Sequence, residues 1–83
     1  MTTPPATPQA TDPEHLEAWR AAVLAYRKAR QWRAGEDVAH QAAIDAYLLV
    51  RPQDDREEAA RQVTRAIAYA AAHHTEWFWR GVR

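Results

Sequence analysis

The chain has 83 residues, and its 11 basic residues balance 11 acidic ones, so its formal net charge is zero. This length allows one domain at most, and zero net charge removes a general attraction to nucleic acid or anionic membranes. The sequence contains no cysteine, which excludes disulfides and zinc–thiolate sites. It also lacks a signal-peptide pattern and any run of the ~18 apolar residues that a spanning helix needs. We therefore expect a cytoplasmic protein.

The composition predicts a thin hydrophobic core. Within the 47% hydrophobic content, nineteen residues are alanine and only twelve are Leu, Ile, Val or Phe. Four tryptophans and three tyrosines supply further bulk, since each aromatic side chain buries roughly 150–250 Å². We expect a domain with a small stability margin, which a homodimer would reinforce. Ten arginines against one lysine, with abundant alanine, are typical of GC-rich coding sequence, as in many bacteria.

The start of the chain differs from the rest. Residues 1–12 hold three prolines among Thr, Gln and Ala and show no apolar periodicity, which predicts a disordered tail. Residues 13–83 are predicted to form a single helical domain. Pro13 suits a first helical turn, where its missing N–H costs nothing, and Glu14 suits the positive end of a helix dipole.

The first predicted helix runs from Pro13 to Arg33. Its apolar residues recur at steps of three and four, as expected for one buried face, and they are Leu16, Trp19, Val23 and Tyr26. Gly35 follows, and glycine best tolerates the left-handed conformation that ends many helices. The sequence therefore predicts that Gly35 ends this helix in that conformation.

The second predicted helix runs from Glu36 to Val50 and is apolar on two faces. One stripe is Val38, Ala42 and Leu49, and the other is Ile44, Tyr47 and Leu48. Two apolar faces are typical of the central helix of a bundle, or of one that also contacts a second subunit. The helix is predicted to end before Pro52, because the residue preceding a proline is pushed out of the helical region.

The third predicted helix is the longest, from Asp55 to Arg80, with Asp54 or Asp55 as its N-terminal cap. Its predicted apolar stripe consists of Ala60, Val63, Ile67, Ala70, His74 and Trp77. Short connections favour antiparallel neighbours. We therefore predict an all-α fold, a three-helix up-down-up bundle with a long third helix.

This topology would gather the candidate metal ligands at one end of the bundle. Glu36 with His40, and His73 with Glu76, are spaced so that each pair shares a helix face. Such spacings are frequent on helices by chance. We therefore predict that His40 and His73 are solvated, that His74 is half-buried with a hydrogen-bonding partner, and that the protein binds neither metal nor cofactor.

Catalytic signatures are also missing from the sequence. The chain has no serine and no Gly-rich phosphate loop. Three short helices seldom enclose the ~300 Å³ that a small-molecule site needs. The sequence therefore predicts a protein that is not an enzyme.

Nucleic-acid binding is the alternative hypothesis. A basic cluster with one aromatic residue ends the first helix, and such a cluster can contact phosphates and stack on a base. Its members are Arg27, Lys28, Arg30, Trp32 and Arg33. In a helix-turn-helix the second helix would enter the groove by its N-terminal residues. Those residues are Glu36 and Asp37, which phosphates repel.

Protein binding is the favoured hypothesis. Trp77, Phe78 and Trp79 are consecutive, and at about 100° per residue they spread over a wide arc of a helix that one core cannot bury. Together with Trp32 and Arg80 they predict a protein-binding end, although the same aromatics would also fit a lid folded over the bundle. We expect a non-enzymatic, homodimeric interaction module with a further, unidentified protein partner and no membrane span.

Overall fold

The computed structural model describes residues 13–80, apart from the side chain of Trp79, and this part of the chain forms four packed helices. They are α1 (Pro13–Gln31), α2 (Glu36–Val50), α3 (Arg56–His73) and α4 (Thr75–Trp79). The all-α prediction is confirmed, and across 13–80 there is no strand. None of the described helices is both long and apolar enough to cross a membrane. The predicted tail, residues 1–12, lies outside the described range.

Small side chains hold α1 against α2. Ala18 and Ala22 of α1 and Ala39 and Ala43 of α2 are all fully buried, and alanine at such positions allows two helix axes to approach to about 8 Å. The two helices run antiparallel, because Nη1 of Arg51, just after α2, donates to Oε1 of Glu14 at the start of α1 over 2.8 Å. The α1–α2 pair forms the most extensive helix contact of the described structure.

The bulky core lies between this pair and the two C-terminal helices. It contains Trp19, Val23 and Tyr26 of α1, Ile44 and Tyr47 of α2, Val63 of α3 and Phe78 of α4. On α2, the stripe with Ile44 and Tyr47 is therefore the core stripe. The other predicted stripe is open, since Val38 is 58% and Leu49 is 85% exposed.

The predicted long third helix is wrong in one respect, because it is interrupted at His74. The helix begins as predicted at its cap, where Oδ1 of Asp55 accepts from the backbone N–H of Glu58 over 2.7 Å. At His74 the backbone leaves the helical region, with φ −132° and ψ 44°, and α4 starts in a new direction. The break allows the Phe78 ring to stack on Tyr26, with 5.8 Å between ring centroids. Burial of this aromatic ring offsets the interrupted helical hydrogen bonding.

The end of α1 also differs from the prediction, because Arg33 rather than Gly35 takes the left-handed conformation. Its φ is +64°. The N–H of Ala34 donates to the carbonyl of Ala29, and that of Arg33 to the carbonyl of Arg30, both over 3.0 Å, which is the hydrogen-bond pattern of a Schellman motif. Gly35 instead caps α2 in an extended conformation, with φ −63° and ψ 161°.

Replacing Arg33 by glycine is expected to stabilise the fold. Glycine adopts positive φ without the steric cost that a side chain imposes, so we expect the free energy of unfolding to rise by about 1 kcal/mol. Urea unfolding followed by circular dichroism measures the change. Ala34→Gly, next in sequence but without positive φ, is the matched control and should give no gain. A stability loss in Arg33→Gly would contradict the assignment.

Candidate interaction surface

The aromatic C-terminal end is largely folded onto the protein. Phe78 is 1% exposed and lies in the core. Trp77 is half-buried, and the guanidinium carbon of Arg27 lies 5.0 Å from the centroid of its ring. Stacking of this kind is a cation–π contact. The Phe78 side chain is thus not available to a partner at the surface, and the Trp77 face is covered by the protein's own arginine.

Hydrogen bonds from α1 fasten α4 in place. Arg27 donates from Nε to the carbonyl oxygen of Trp77 over 3.1 Å and from Nη2 to that of Arg80 over 3.0 Å. Gln31 donates to the same Arg80 oxygen over 3.1 Å. These donors satisfy carbonyls at the C-terminal end of α4, where a short helix leaves its acceptors open. The side chain of Trp79 lies outside the described part of the protein, so its place in the predicted protein-binding end stays a prediction.

The basic cluster at the end of α1 is partly occupied by these internal contacts. Arg27 is engaged with α4 as described, and Nη1 of Arg30 donates to the carbonyl of Ala34 over 3.0 Å. Lys28 and Arg33 are exposed. Two of the four predicted phosphate-binding cations are therefore used within the protein.

The candidate metal ligands do not converge. Nε2 of His40 lies 3.2 Å from Oγ1 of Thr64, whereas the His73 ring stacks on Tyr69 with 4.3 Å between centroids. Glu36 and His40 line one shallow depression, and His73 and Glu76 line another. In the region 13–80, no three His, Asp or Glu side chains are grouped to hold a metal ion. Nε2 of His74 is buried without a hydrogen-bond partner among the described residues.

A groove of about 540 Å³ runs between α1 and α3. Its lining includes His15, Trp19, Arg65, Tyr69 and His73. The indole Nε1 of Trp19 donates to Oε1 of Gln62 over 2.9 Å, so the buried indole is satisfied within the protein. The groove has room for a small ligand, but among the described residues that line it there is no carboxylate that could pair with a histidine in general acid–base chemistry.

Large exposed apolar side chains collect on a different surface. Within 13–80 they are Leu24 at 40%, Trp32 at 79%, Val38 at 58% and Leu49 at 85% exposure. The N–H of Trp32 still donates to the carbonyl of Lys28 over 3.1 Å, so Trp32 continues the turn of α1. At about 100° per residue it lies within about 20° of Ala21 and Ala25 on the helix surface, opposite the buried Trp19.

On α2 the same rule places Val38 and Leu49 on one stripe, about 20° apart, with Ala42 beside them. This stripe is turned away from Tyr47, which is buried and donates to Asp54 in the connection between α2 and α3. The two stripes lie side by side because α1 and α2 are adjacent and antiparallel. We call the combined surface the outer face, and it consists of Ala21, Ala25 and Trp32 of α1 with Val38, Ala42 and Leu49 of α2. Leu24 lies at its edge.

The sequence pattern contained a signal for the outer face. The stripe of Val38, Ala42 and Leu49 is visible in the sequence as a second apolar face of α2. A helix in a three-helix bundle needs one such face for the core, so the second required a separate explanation. The predicted site was placed instead at the C-terminal aromatics, and among its described residues Trp32 belongs to the outer face.

Comparisons of the chain with protein-family models, curated proteins and solved structures find no significant match.

Proposed function

We propose that this protein is a non-enzymatic helical interaction module that binds another polypeptide through its outer face. The observation that carries the proposal is the joint exposure of Trp32, Val38 and Leu49 on one side of the α1–α2 pair. Contiguous exposed apolar patches mark interaction surfaces in folded proteins. Tryptophan is also among the residues most enriched at the energetic centres of protein interfaces.

The proposal moves the binding site away from the C-terminal aromatics. Phe78 supports this change, since a fully buried ring contributes to folding rather than to a partner. The contacts of Arg27 and Gln31 with α4 support a lid that closes the core. We keep the cytoplasm as the proposed location on the basis of the sequence.

We further propose the up-down-up order for the first three helices. Contacts between α2 and α3 support an antiparallel pair, since Asp45 of α2 pairs with Arg56 at the start of α3 and His40, earlier in α2, meets Thr64, later in α3. Trp19 of α1 bonds to Gln62 of α3, and Arg27, later in α1, bonds to Trp77, which follows α3; these two contacts support a parallel α1 and α3. In this order the outer face lies on the side of the α1–α2 pair opposite α3.

Nucleic-acid binding has less support than protein binding. Arg27 and Arg30 donate to backbone carbonyls of the protein itself. The exposed Glu36 and Asp37 at the start of α2 lie close along the chain to Lys28 and Arg33 and oppose an approaching phosphate backbone.

Site-specific photocrosslinking tests the proposal in cells that make the protein. A photoreactive benzoylphenylalanine at Leu49 is expected to give a protein adduct on irradiation, because this position belongs to the outer face and is 85% exposed. The matched control carries the same group at Ala72, which is exposed on α3, and is expected to give none. Absence of adducts from Leu49, or equal adducts from both positions, would refute the outer face as the binding surface.

A further inference from the structure

We infer that the occupant of the outer face is a second copy of this chain, packed with its helices antiparallel to those of the first about a twofold axis. This inference rests on the proposed function and names the partner. Three features of the outer face support it: the spacing of its apolar residues, the spacing of its charges, and its size.

The first feature is a matched spacing on the two helices. Val38 and Leu49 are eleven residues apart on α2, and Glu17 and Lys28, both exposed, are eleven residues apart on α1. Eleven residues rise about 16 Å and return to within about 20° of the same side. Each helix of the outer face thus carries a pair of residues at its two ends, three turns apart.

The two pairs share one midpoint. Counting eight residues inward from the Glu14–Arg51 contact places Ala22 of α1 opposite Ala43 of α2, and both are fully buried in the seam between the helices. Ala22 lies at the middle of the Glu17–Lys28 interval, and Ala43 at the middle of the Val38–Leu49 interval. A single twofold axis that crosses both helices at the level of Ala22 and Ala43 therefore places each member of a pair opposite the other member of the same pair in the second copy.

The consequence of this axis is charge complementarity. A second copy laid antiparallel on the first brings Lys28 over Glu17 of the partner subunit, and the reverse pair forms at the other end. Opposite charges at the edge of an interface favour one orientation over others. A twofold axis parallel to the helices would instead lay α1 on α2 of the partner subunit, and no such charge pair would form. Asp45, at the far edge of α2, is paired with Arg56 of the same chain over 3.1 Å, so it does not disturb this charge pattern.

The apolar residues meet in the same arrangement. The end with Trp32 and Val38 lies on the end of the partner that carries Leu49, while Ala21, Ala25 and Ala42 in the centre let the helices approach closely. The face extends about 24 Å along the helices and about 20 Å across the pair, roughly 500 Å² per copy. A total near 1,000 Å² is at the low end for specific interfaces, so we expect micromolar affinity.

Sedimentation equilibrium on the full chain tests the inference. The wild-type protein is expected to pass from monomer to dimer at concentrations on the order of 10 µM, and Leu49→Lys is expected to stay monomeric. Leu49 is 85% exposed, so circular dichroism should show the variant folded. Ala72→Lys, with the same change on α3, is the control and should dimerise as the wild type does.

Charge reversal tests the orientation. Glu17→Lys and Lys28→Glu are each expected to weaken the dimer about tenfold, because each creates two like-charge contacts across the axis. The double variant restores opposite charges and should return to within about threefold of the wild type. Single variants without effect, or a double variant that is not restored, would overturn the antiparallel arrangement.

The dimer and the outer face as a binding surface can be refuted by different results. If the wild type stays monomeric while the Leu49 photocrosslink gives an adduct with a different protein, the second copy is overturned and the outer face stands as a binding surface. If neither dimer nor adduct forms, both are overturned. A dimer lost in Leu49→Lys and restored by the double charge reversal supports both.

Discussion

Replacing Phe78 by alanine is expected to lower the free energy of unfolding by about 3–5 kcal/mol, the usual cost of emptying a buried aromatic site. Phe78 is 1% exposed and stacks on Tyr26. The loss would be a large part of the stability of a small domain, which amounts to roughly 0.05–0.15 kcal/mol per residue. Urea unfolding followed by circular dichroism and tryptophan fluorescence measures it.

Two companion variants separate the lid from the outer face. Phe78→Leu keeps most of the buried volume and should cost only about 1 kcal/mol, which keeps the measurement possible if the alanine variant is unfolded. Trp32→Ala removes a larger aromatic that is 79% exposed, and it should change stability by no more than about 0.5 kcal/mol. If Phe78→Ala melts like the wild type, α4 is not the lid of the core.

Local sequence signals were sufficient for three of the six predicted helix boundaries. The start of α1 at Pro13 and both ends of α2, Glu36 and Val50, are where the sequence predicts them. In each case the signal is a property of one or two residues: a proline that fixes φ, acidic residues at a helix start, or a proline that prevents continuation. Such effects act over one turn of chain and do not depend on the rest of the fold.

The interruption at His74 could not be predicted in the same way. The residues around it, with alanines before and Thr75 and Glu76 after, are compatible with a continuous helix. The break is favoured by a contact distant in sequence, because Phe78 reaches Tyr26 only if the chain turns. A tertiary contact of this size overrides local helix propensity.

The end of α1 illustrates the limit of residue preference. Glycine is preferred at the left-handed position, but Arg33 takes it because α1 ends at Gln31, which puts that position two residues before Gly35. Gly35 is then needed as the cap of α2. The only glycine between α1 and α2 caps α2, so it cannot also take the left-handed position that ends α1. Arg33 takes that position and its backbone is strained.

The candidate site was only partly visible in the sequence. The three consecutive aromatic residues 77–79 predicted a protein-binding end. Which of them is buried, however, depends on the direction of α4. Phe78 turned inward and Trp77 met Arg27. On α2, by contrast, the two stripes were correctly separated, and only the packing of α3 decided that Ile44 lies inside and Leu49 outside.

The connection between α2 and α3 contains a partly buried polar network that is expected to make the fold sensitive to acid. The hydroxyl of Tyr47, a fully buried residue, donates to Oδ2 of Asp54 over 2.7 Å, and Nε of Arg51 donates to the same oxygen over 3.0 Å. The pKa of the Asp54 carboxyl is lowered mainly by the hydrogen bond from Arg51 and next by the hydrogen bond from Tyr47. The pKa of Tyr47 is raised mainly by burial and next by its hydrogen bond to Asp54. The network therefore stabilises the fold with Asp54 ionised and Tyr47 protonated.

Asp54→Asn is expected to lower the free energy of unfolding by about 2 kcal/mol at neutral pH, because a hydrogen bond to a charged acceptor is replaced by a weaker neutral one. A carboxyl whose pKa is lowered in the folded state contributes stability above its unfolded pKa of about 3.9 and loses it as the pH falls through the folded value. The difference between wild type and variant should thus be largest near neutral pH and shrink steadily below pH ~4. Urea unfolding of both proteins from neutral to strongly acidic pH measures the difference, in which the titration of other carboxylates cancels.

Asp45→Asn is the matched control: its ion pair with Arg56 is exposed, so it should cost no more than about 0.5 kcal/mol at any pH. A difference between wild type and Asp54→Asn that is independent of pH would show that the Asp54 charge does not stabilise the fold.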